Sequence, residues 1–225
     1  MTYPEYIAYH KQGDAGAEER MIASLCQYLE LEPWDSFRLI YYYTMTYNIP
    51  SALSMLLDSE FDIKKLRFRT DRRYVRCNGA FPRLLEEITT DKMDNLLQVK
   101  TTQEAYDEVK KWFFFGRYAS YLFLEVFCHV FKPKWEDNIR YKWESDENYT
   151  KGAISIVKSN DIVKLDKFLN KAREDTGDNA FAIETSLCAV YKFAKGTRWN
   201  GYYTERMLLE ADQSKYKGII HKLAR

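Results

Sequence analysis

The stretch from Glu184 to Arg206 (ETSLCAVYKFAKGTRWNGYYTER) combines one carboxylate, a cysteine, two arginines and a cluster of aromatic rings. On a helix Glu184, Cys188 and Tyr191 fall at i, i+4 and i+7 on one face, while Leu187 and Val190 lie beside them and pack inward. Gly196 fits the position just past a helix end. A short loop then presents Arg198, Trp199, Gly201, Tyr202 and Tyr203, and Arg206 opens the next helix. Arginine binds phosphate oxygens bidentately, and tyrosine or tryptophan stacks on a planar base. The pattern suits an anionic, planar ligand. The alternative is an exposed corner in which Glu184 pairs with an arginine for structure alone.

A second group runs from Trp112 to Glu125 (WFFFGRYASYLFLE). Gly116 reads as a tight turn joining two helices into a hairpin, and a helix N-terminus of this kind can meet a phosphate. Glu125 is the one carboxylate on an otherwise apolar helix, and an acid there is costly to bury unless it is paired or used. A structural ion pair is the competing explanation. A third group, Phe37 to Tyr43, places Arg38 and Tyr42 on one face, for ligand binding or for a simple cation–π contact. The fourth is the basic segment Lys64 to Arg83, with eight basic residues against the single acid Asp71. Its arginines, including Arg72, Arg73 and Arg76, and the Asn78-Gly79 turn fit a surface that tracks a nucleic-acid backbone. A solvated loop neutralised by the acids near Trp135 to Trp143 is the other reading.

The elements that must position these groups are helical. Met21, Ile22, Leu25, Cys26 and Leu29 mark one helix face, and Phe37, Ile40 and Tyr41 another, opened by Asp35. Pro50 or Ser51 starts a helix through Leu53, Leu56 and Leu57. Thr101 and Glu104 form a capping box ahead of Val109 and Trp112. A very apolar helix follows from about Tyr118 to Phe131. Asn160 is expected to cap a helix over Asp161 to Ala172, and another spans Ala180 to Ala194. Two short helices finish the chain, and Arg73 to Arg76 reads as a short extended piece. The expected class is all-α, a single helical domain over 1–225, divisible at the polar run near Lys134 to Lys151 into lobes 1–133 and 134–225.

Composition bounds the rest. The 225 residues carry a net charge of +1, with 18 Tyr, 13 Phe and 5 Trp, so many rings must sit at half-buried surfaces. Cys26, Cys77, Cys128 and Cys188 are isolated, without metal-ligand spacing or a disulfide framework. Cys188 reads as packing, since nothing flanking it guarantees a thiolate. The opening MTYPEYIAYHKQGD lacks an apolar leader, and the longest apolar run is too short to span a bilayer. No membrane partner and a reducing cytoplasm are therefore expected. There is no GxxxxGK[ST] or GxGxxG motif, and His10, His129 and His221 are scattered, so neither a zinc cluster nor a histidine triad is expected.

Taken together, Glu184-Thr185-Ser186-Leu187-Cys188 followed by Arg198, Gly201, Tyr202, Tyr203 and Arg206 resembles the signature of the phage alpha-glutamyl/putrescinyl thymine pyrophosphorylases, the amino acid:DNA transferases. Gly116-Arg117-Tyr118-Ala119-Ser120-Tyr121 with Glu125 is similar to their hairpin, which usually reads Gly-x-Phe-x-Ala-Tyr followed by Asp. Phe37-Arg38 and Asn78-Gly79 also fit. Glu125 stands where Asp is usual and Ser120 where Ala is usual. The resemblance touches about residues 30–210. It implies a compact fold with a helix-hairpin-helix-like, DNA-glycosylase-like arrangement. The implied partners are double-stranded DNA carrying a modified thymine and an amino acid or polyamine donor, in the cytoplasm of an infected bacterial host.

The implied reaction displaces pyrophosphate from 5-pyrophosphoryloxymethyluracil with the donor's amine. The modified base must leave the stack, which asks for aromatic walls such as Tyr202, Tyr203, Tyr121 and Tyr42. The leaving pyrophosphate needs preorganised cations, for which Arg198, Arg206, Arg38 and Arg117 are candidates. A carboxylate with a raised pKa must take the amine proton, Glu184 first and Glu125 second. Arg72, Arg73, Arg76 and Asn78 are the expected DNA-backbone contacts. No cofactor is called for, no metal-ligand set is visible, and a divalent metal accompanying the pyrophosphate is compatible with the pattern. Two alternatives stay open: a glycosylase-like base-excision enzyme, and a non-catalytic DNA-binding accessory domain.

Overall fold

Helix signals dominate the sequence, and helices dominate the fold. The structure, a computed structural model, describes residues 1–69, 80–137 and 151–225. Among the described residues there are thirteen α-helices and no strand. In chain order they are α1 (Tyr3–Lys11), α2 (Ala17–Tyr28), α3 (Pro33–Thr46), α4 (Ile49–Leu57), α5 (Ala80–Glu86), α6 (Thr90–Gln98), α7 (Thr102–Lys110), α8 (Arg117–Phe131), α9 (Lys151–Val157), α10 (Ile162–Thr176), α11 (Ala180–Ala194), α12 (Tyr202–Ala211) and α13 (Lys217–Leu223). The chain is all-α. No helix is long and apolar enough to cross a membrane, among the described residues.

The centre is built by α3 and α8. Both are apolar around most of their circumference, which is the pattern of a helix enclosed on all sides. From Ser36 to Thr46 only Arg38 escapes burial on α3, and α8 is buried from Leu122 to Cys128. α8 packs on α2, α3, α7 and α11. Phe37, Trp112 and Phe123 meet edge to face, with centroids 5.6 Å apart for Phe37–Phe123 and 5.1 Å for Trp112–Phe123. Phe127 stacks on Trp135, whose indole N–H donates to the Leu96 carbonyl at 2.8 Å. Edge-to-face pairs of this kind add about 0.5–1.5 kcal/mol each beyond their buried area. The C-terminal helices join the same core: α11 packs on α1, α8, α9 and α10, and α12 on α2, α4 and α13.

Several local expectations hold and several change. Thr101 caps α7 by accepting from the Glu104 N–H at 3.1 Å, while Glu104 reaches back to the Lys100 N–H at 2.7 Å. Gly196 has φ 68, as a residue past the end of α11 should. The cap of α10 is Asp161, not Asn160: its carboxylate accepts from the Val163 N–H at 2.9 Å, and charge gives it the advantage at a helix N-terminus. Asp35 lies within the first turn of α3, where it pairs with Arg38, because Pro33 starts the helix one residue after Glu32. Gly116 is the N-cap of α8 with an ordinary φ of −79; the left-handed residue in the connection from α7 is Phe114, at φ 64. The two helices are therefore joined by a six-residue link, 111–116, rather than a tight glycine turn. The Arg73–Arg76 piece and the Asn78-Gly79 turn lie outside the described residues.

Candidate functional site

Five elements converge on one cavity of about 290 Å³. α8 contributes Arg117, Tyr118, Tyr121, Leu122 and Glu125, at i, i+1, i+4, i+5 and i+8, which is a single helix face. α11 contributes Glu184, Thr185 and Cys188 from the facing wall. Arg198, Tyr203 and Arg206 come from the start of α12 and the loop before it, Glu19 from α2, and Tyr47 from the end of α3. The two stretches singled out independently in the sequence, Glu184–Arg206 and Gly116–Glu125, thus face each other across the same space.

Local geometry explains why the loop side chains hold their places. α12 starts at Gly201, whose φ of 89 suits glycine, and no local side chain caps the helix. Asp14, from the turn before α2, supplies the cap instead. Its carboxylate accepts from the Thr204 N–H and hydroxyl, both at 2.9 Å, and more weakly from the Tyr203 N–H at 3.4 Å. Gly16 in the same turn has φ 79, and a Cβ there would stand 3.0 Å from Glu125 Oε1. The turn therefore reaches α12 on one side and α8 on the other.

The charges are distributed unevenly. Glu18 is almost fully buried and takes two arginines: Arg206 through Nε at 3.1 Å and Nη2 at 3.0 Å, and Arg69 through Nη1 at 2.7 Å. Arg69 also binds Glu210. Burial disfavours the charge on Arg206, but Glu18 and the surrounding tyrosine oxygens outweigh it and raise its pKa. The Arg206 guanidinium lies 5.3–5.5 Å from the rings of Tyr47, Tyr202 and Tyr203. Arg198, half-buried, covers Tyr202 at 4.5 Å and Tyr203 at 4.9 Å and has no carboxylate in ion-pair range among the described residues. It is the cation most available to an anion in the cavity.

The carboxyls hold protons tightly. Burial pushes Glu184 up to about 7, against the opposing charge of Arg117. Glu184 retains partial solvent access through the cavity, so it can exchange its proton with a ligand or water. Burial, with the charge of Glu18, pushes Glu19 to about 7 as well. Burial and the charge of Glu19 raise Glu125 well above the carboxylate range, even though its Oε2 accepts from the Thr185 hydroxyl at 2.5 Å. Cys188 is exposed at the cavity wall rather than packed in the core; desolvation of the thiol and the Glu184 charge raise its pKa. Among the described residues no group of three or more His, Cys, Asp and Glu side chains is placed to hold a metal ion.

Of the residues expected from the sequence, Glu184, Glu125, Arg198, Arg206, Arg117, Tyr121 and Tyr203 line the cavity. Tyr202 does not line it but packs edge to face with Tyr203 at 5.2 Å and under Arg198. Arg38 and Tyr42 are placed elsewhere: Arg38 binds Asp35 at 2.9 Å and Tyr42 at 3.3 Å, and neither lines the cavity. Arg72, Arg73, Arg76 and Asn78 lie outside the described residues. Glu19 and Tyr47 were not singled out in the sequence, and Tyr118 and Thr185 stood within the two stretches without a role of their own. The available signal was the Gly13-Asp14-Ala15-Gly16 turn followed by two adjacent glutamates.

The histidines are less scattered than their sequence positions suggest. His10 donates to or accepts from Ser186 at 2.8 Å and meets Asp178 at 3.2 Å, and His129 lies 3.9 Å from the same carboxylate. The order Ser–His–Asp has the outline of a nucleophile triad. Ser186, however, has no exposed surface, and it also contacts the Tyr6 hydroxyl at 2.8 Å and donates to the Ile183 carbonyl at 2.9 Å. No substrate reaches it, so the cluster serves to fix α1 against α11. Burial pushes His129 down to about 4, which leaves it neutral near pH 7.

No family model, curated protein or solved structure matches this chain.

Proposed function

We propose that the chain is a DNA-modifying transferase that displaces pyrophosphate from 5-pyrophosphoryloxymethyluracil in phage DNA with the amine of an amino acid or polyamine. The observation that carries this reading is the meeting of the two separate stretches across one cavity. There, carboxyls of raised proton affinity, arginines and tyrosine rings share a space of about 290 Å³. That volume, near the lower end for ligand pockets, suits one extruded base and its substituent better than a length of duplex. A helix-hairpin-helix-like, glycosylase-like use of the helical scaffold accompanies the proposal, as does a setting in the infected bacterial cell.

The residues divide the chemistry. The amine nitrogen attacks the methylene carbon, and the bond from that carbon to the pyrophosphate oxygen breaks with its electron pair going to pyrophosphate. Glu184, with a pKa near 7, takes the proton lost by the nitrogen. Arg198 and Arg117, backed by Arg206, meet the charge that grows on the leaving group. Tyr121 and Tyr203 wall the base, with Tyr202 holding Arg198 in place. Nothing in these steps draws on a cofactor.

The test is incubation with DNA carrying the pyrophosphorylated base, with a panel of amino acids and polyamines, followed by pyrophosphate measurement and nucleoside mass spectrometry. Release of pyrophosphate with a new amine-bearing nucleoside is expected. Abasic sites and free base would instead mark base excision. Salt-dependent DNA binding that persists in Glu184→Gln/Glu125→Gln, with no turnover in the parent chain, would mark an accessory domain.

A further inference from the structure

Where α2, α3, α8 and α12 meet, three glutamates are removed from solvent: Glu18 is 1%, Glu19 4% and Glu125 1% exposed. Both arginines that reach Glu18, Arg69 and Arg206, are spent on that one carboxylate and on Glu210. Glu19 is left with the Tyr43 hydroxyl at 2.9 Å and its own backbone N–H. Glu125 has only the Thr185 hydroxyl, on Oε2, and its buried Oε1 has no hydrogen-bond partner. Neither acid has a cation in ion-pair range among the described residues, yet both line the cavity. A buried carboxyl without a partner carries a proton or waits for a ligand's cation.

We propose that Glu19 and Glu125 form the seat of a ligand's primary ammonium group, so that the cavity takes a bifunctional ligand set, cation on this acid pair and anion toward Arg198. The inference rests on the cavity being the site of the proposed transfer, and it names the wall that receives the incoming amine. An ammonium group offers three donors, and the pair offers the unpartnered Glu125 Oε1 and the remaining acceptor positions of Glu19. Apart from Glu184, which ionises at about 7, the other charged and titratable groups facing the pair are committed or neutral. Glu18 and Arg20 come from α2, Tyr43 and Tyr47 from α3, Tyr118 from α8, Glu184 from α11, Arg206 from α12, and Asp178 from the turn before α11. Arg206 is held by Glu18, and Arg20 by the Gly13 and Ala15 carbonyls and, at 3.6 Å, by Asp178.

The seat has a proton signature. Alone, the pair keeps a proton near neutral pH, because burial holds Glu19 at about 7 and raises Glu125 well above the ordinary carboxylate value. The arriving ammonium replaces that proton, so charge is conserved and one proton passes to solvent. Protons compete with the ligand, so affinity falls as the pH is lowered wherever the pair still holds that proton. The same ammonium chemistry belongs to polyamines and to amino acids, and an amino acid brings an adjacent carboxylate toward the acid pair.

Isothermal titration calorimetry of the full chain without DNA tests the seat, with n-butylamine and glycine as probes in two buffers of different ionisation enthalpy. Binding of at least one amine is expected near pH 8, with release of up to one proton per ligand and, by the same linkage, affinity falling up to tenfold for each unit by which the pH is lowered from there. Glu19→Gln and Glu125→Gln should each weaken binding tenfold or more, while Asp212→Asn, at an exposed acid ending α12, should change nothing. Preferential binding of n-butylamine places the polyamine arm first, and preferential binding of glycine the amino acid arm. Failure of both amines to bind the folded chain overturns the seat, as does binding without proton release or unaffected by either glutamine variant. The proton count uses the unsubstituted chain, so it decides the matter even where a variant does not fold. Amine binding without transfer to DNA keeps the seat and removes the transferase; transfer with an unchanged amine KM in both variants does the reverse.

Discussion

In the proposed transfer Glu184 serves chemistry at the expense of stability. Its carboxyl is held to about pH 7 by burial, so near neutral pH it is half available as a base. Only the ionised form accepts a proton, and turnover should therefore rise as pH passes upward through about 7. Glu184→Gln should remove that limb and lower turnover by about 10²–10⁴-fold, read from pH–rate profiles of pyrophosphate release. Because the folded state holds this proton more tightly than the unfolded chain, ionisation costs stability, and the loss accumulates between the ordinary carboxylate value and about pH 7. Denaturant titrations should find Glu184→Gln more stable than the parent at pH 8, by on the order of 1–3 kcal/mol, with the gain vanishing in acid. Gly16→Ala works in the other direction: a left-handed φ and a Cβ 3.0 Å from Glu125 should lower stability by about 1–2 kcal/mol. Glu184 and Glu125 were legible in the sequence because each is an acid inside an apolar or aromatic run. Glu19 was not, since adjacent glutamates opening a helix are the ordinary complement to its dipole, and nothing local tells which of them turns inward.

Helices carry the second lesson. Those whose ends are satisfied by neighbours in sequence were readable: Thr101 caps α7 and Asn179 caps α11, each through its own side chain. α12 was read as opening at Arg206, with Tyr202 and Tyr203 in the loop before it; it opens at Tyr202, because Gly201 turns the chain and Asp14 arrives from a position 190 residues away in sequence to cap it. α1 escaped because its buried face is Tyr6, Tyr9 and His10, residues whose polar tips blur the hydrophobic period. Asp14→Ala should cost about 0.5–2 kcal/mol and loosen Tyr203 and Arg206 as well. It should therefore weaken ligand binding, whereas Asp161→Ala, which uncaps α10 by a local route, should lower the melting temperature without touching the site. Thermal melts paired with anion titrations separate the two. Were both variants to lose binding equally, the long-range cap would have no special role.

Across the whole molecule, Glu18 is the knot. It is buried with two arginines that come from the segment after α4 and from α12. Glu18→Ala leaves Arg206 enclosed without its counter-charge and Arg69 with Glu210 alone, and should destabilise by about 3–5 kcal/mol, visible as a lowered denaturant midpoint. The all-helical class was legible from period and punctuation alone, while the knot was not, since its partners stand 188 and 51 positions from Glu18. That separation sets an order of events during synthesis. A chain still emerging from the ribosome can assemble α3 and α8 around their aromatic rings, but it lacks the arginines and the helix end that complete the cavity. Synthesis must pass α12 before the molecule can hold a ligand, and copies that stop short of it should be folded in part yet silent.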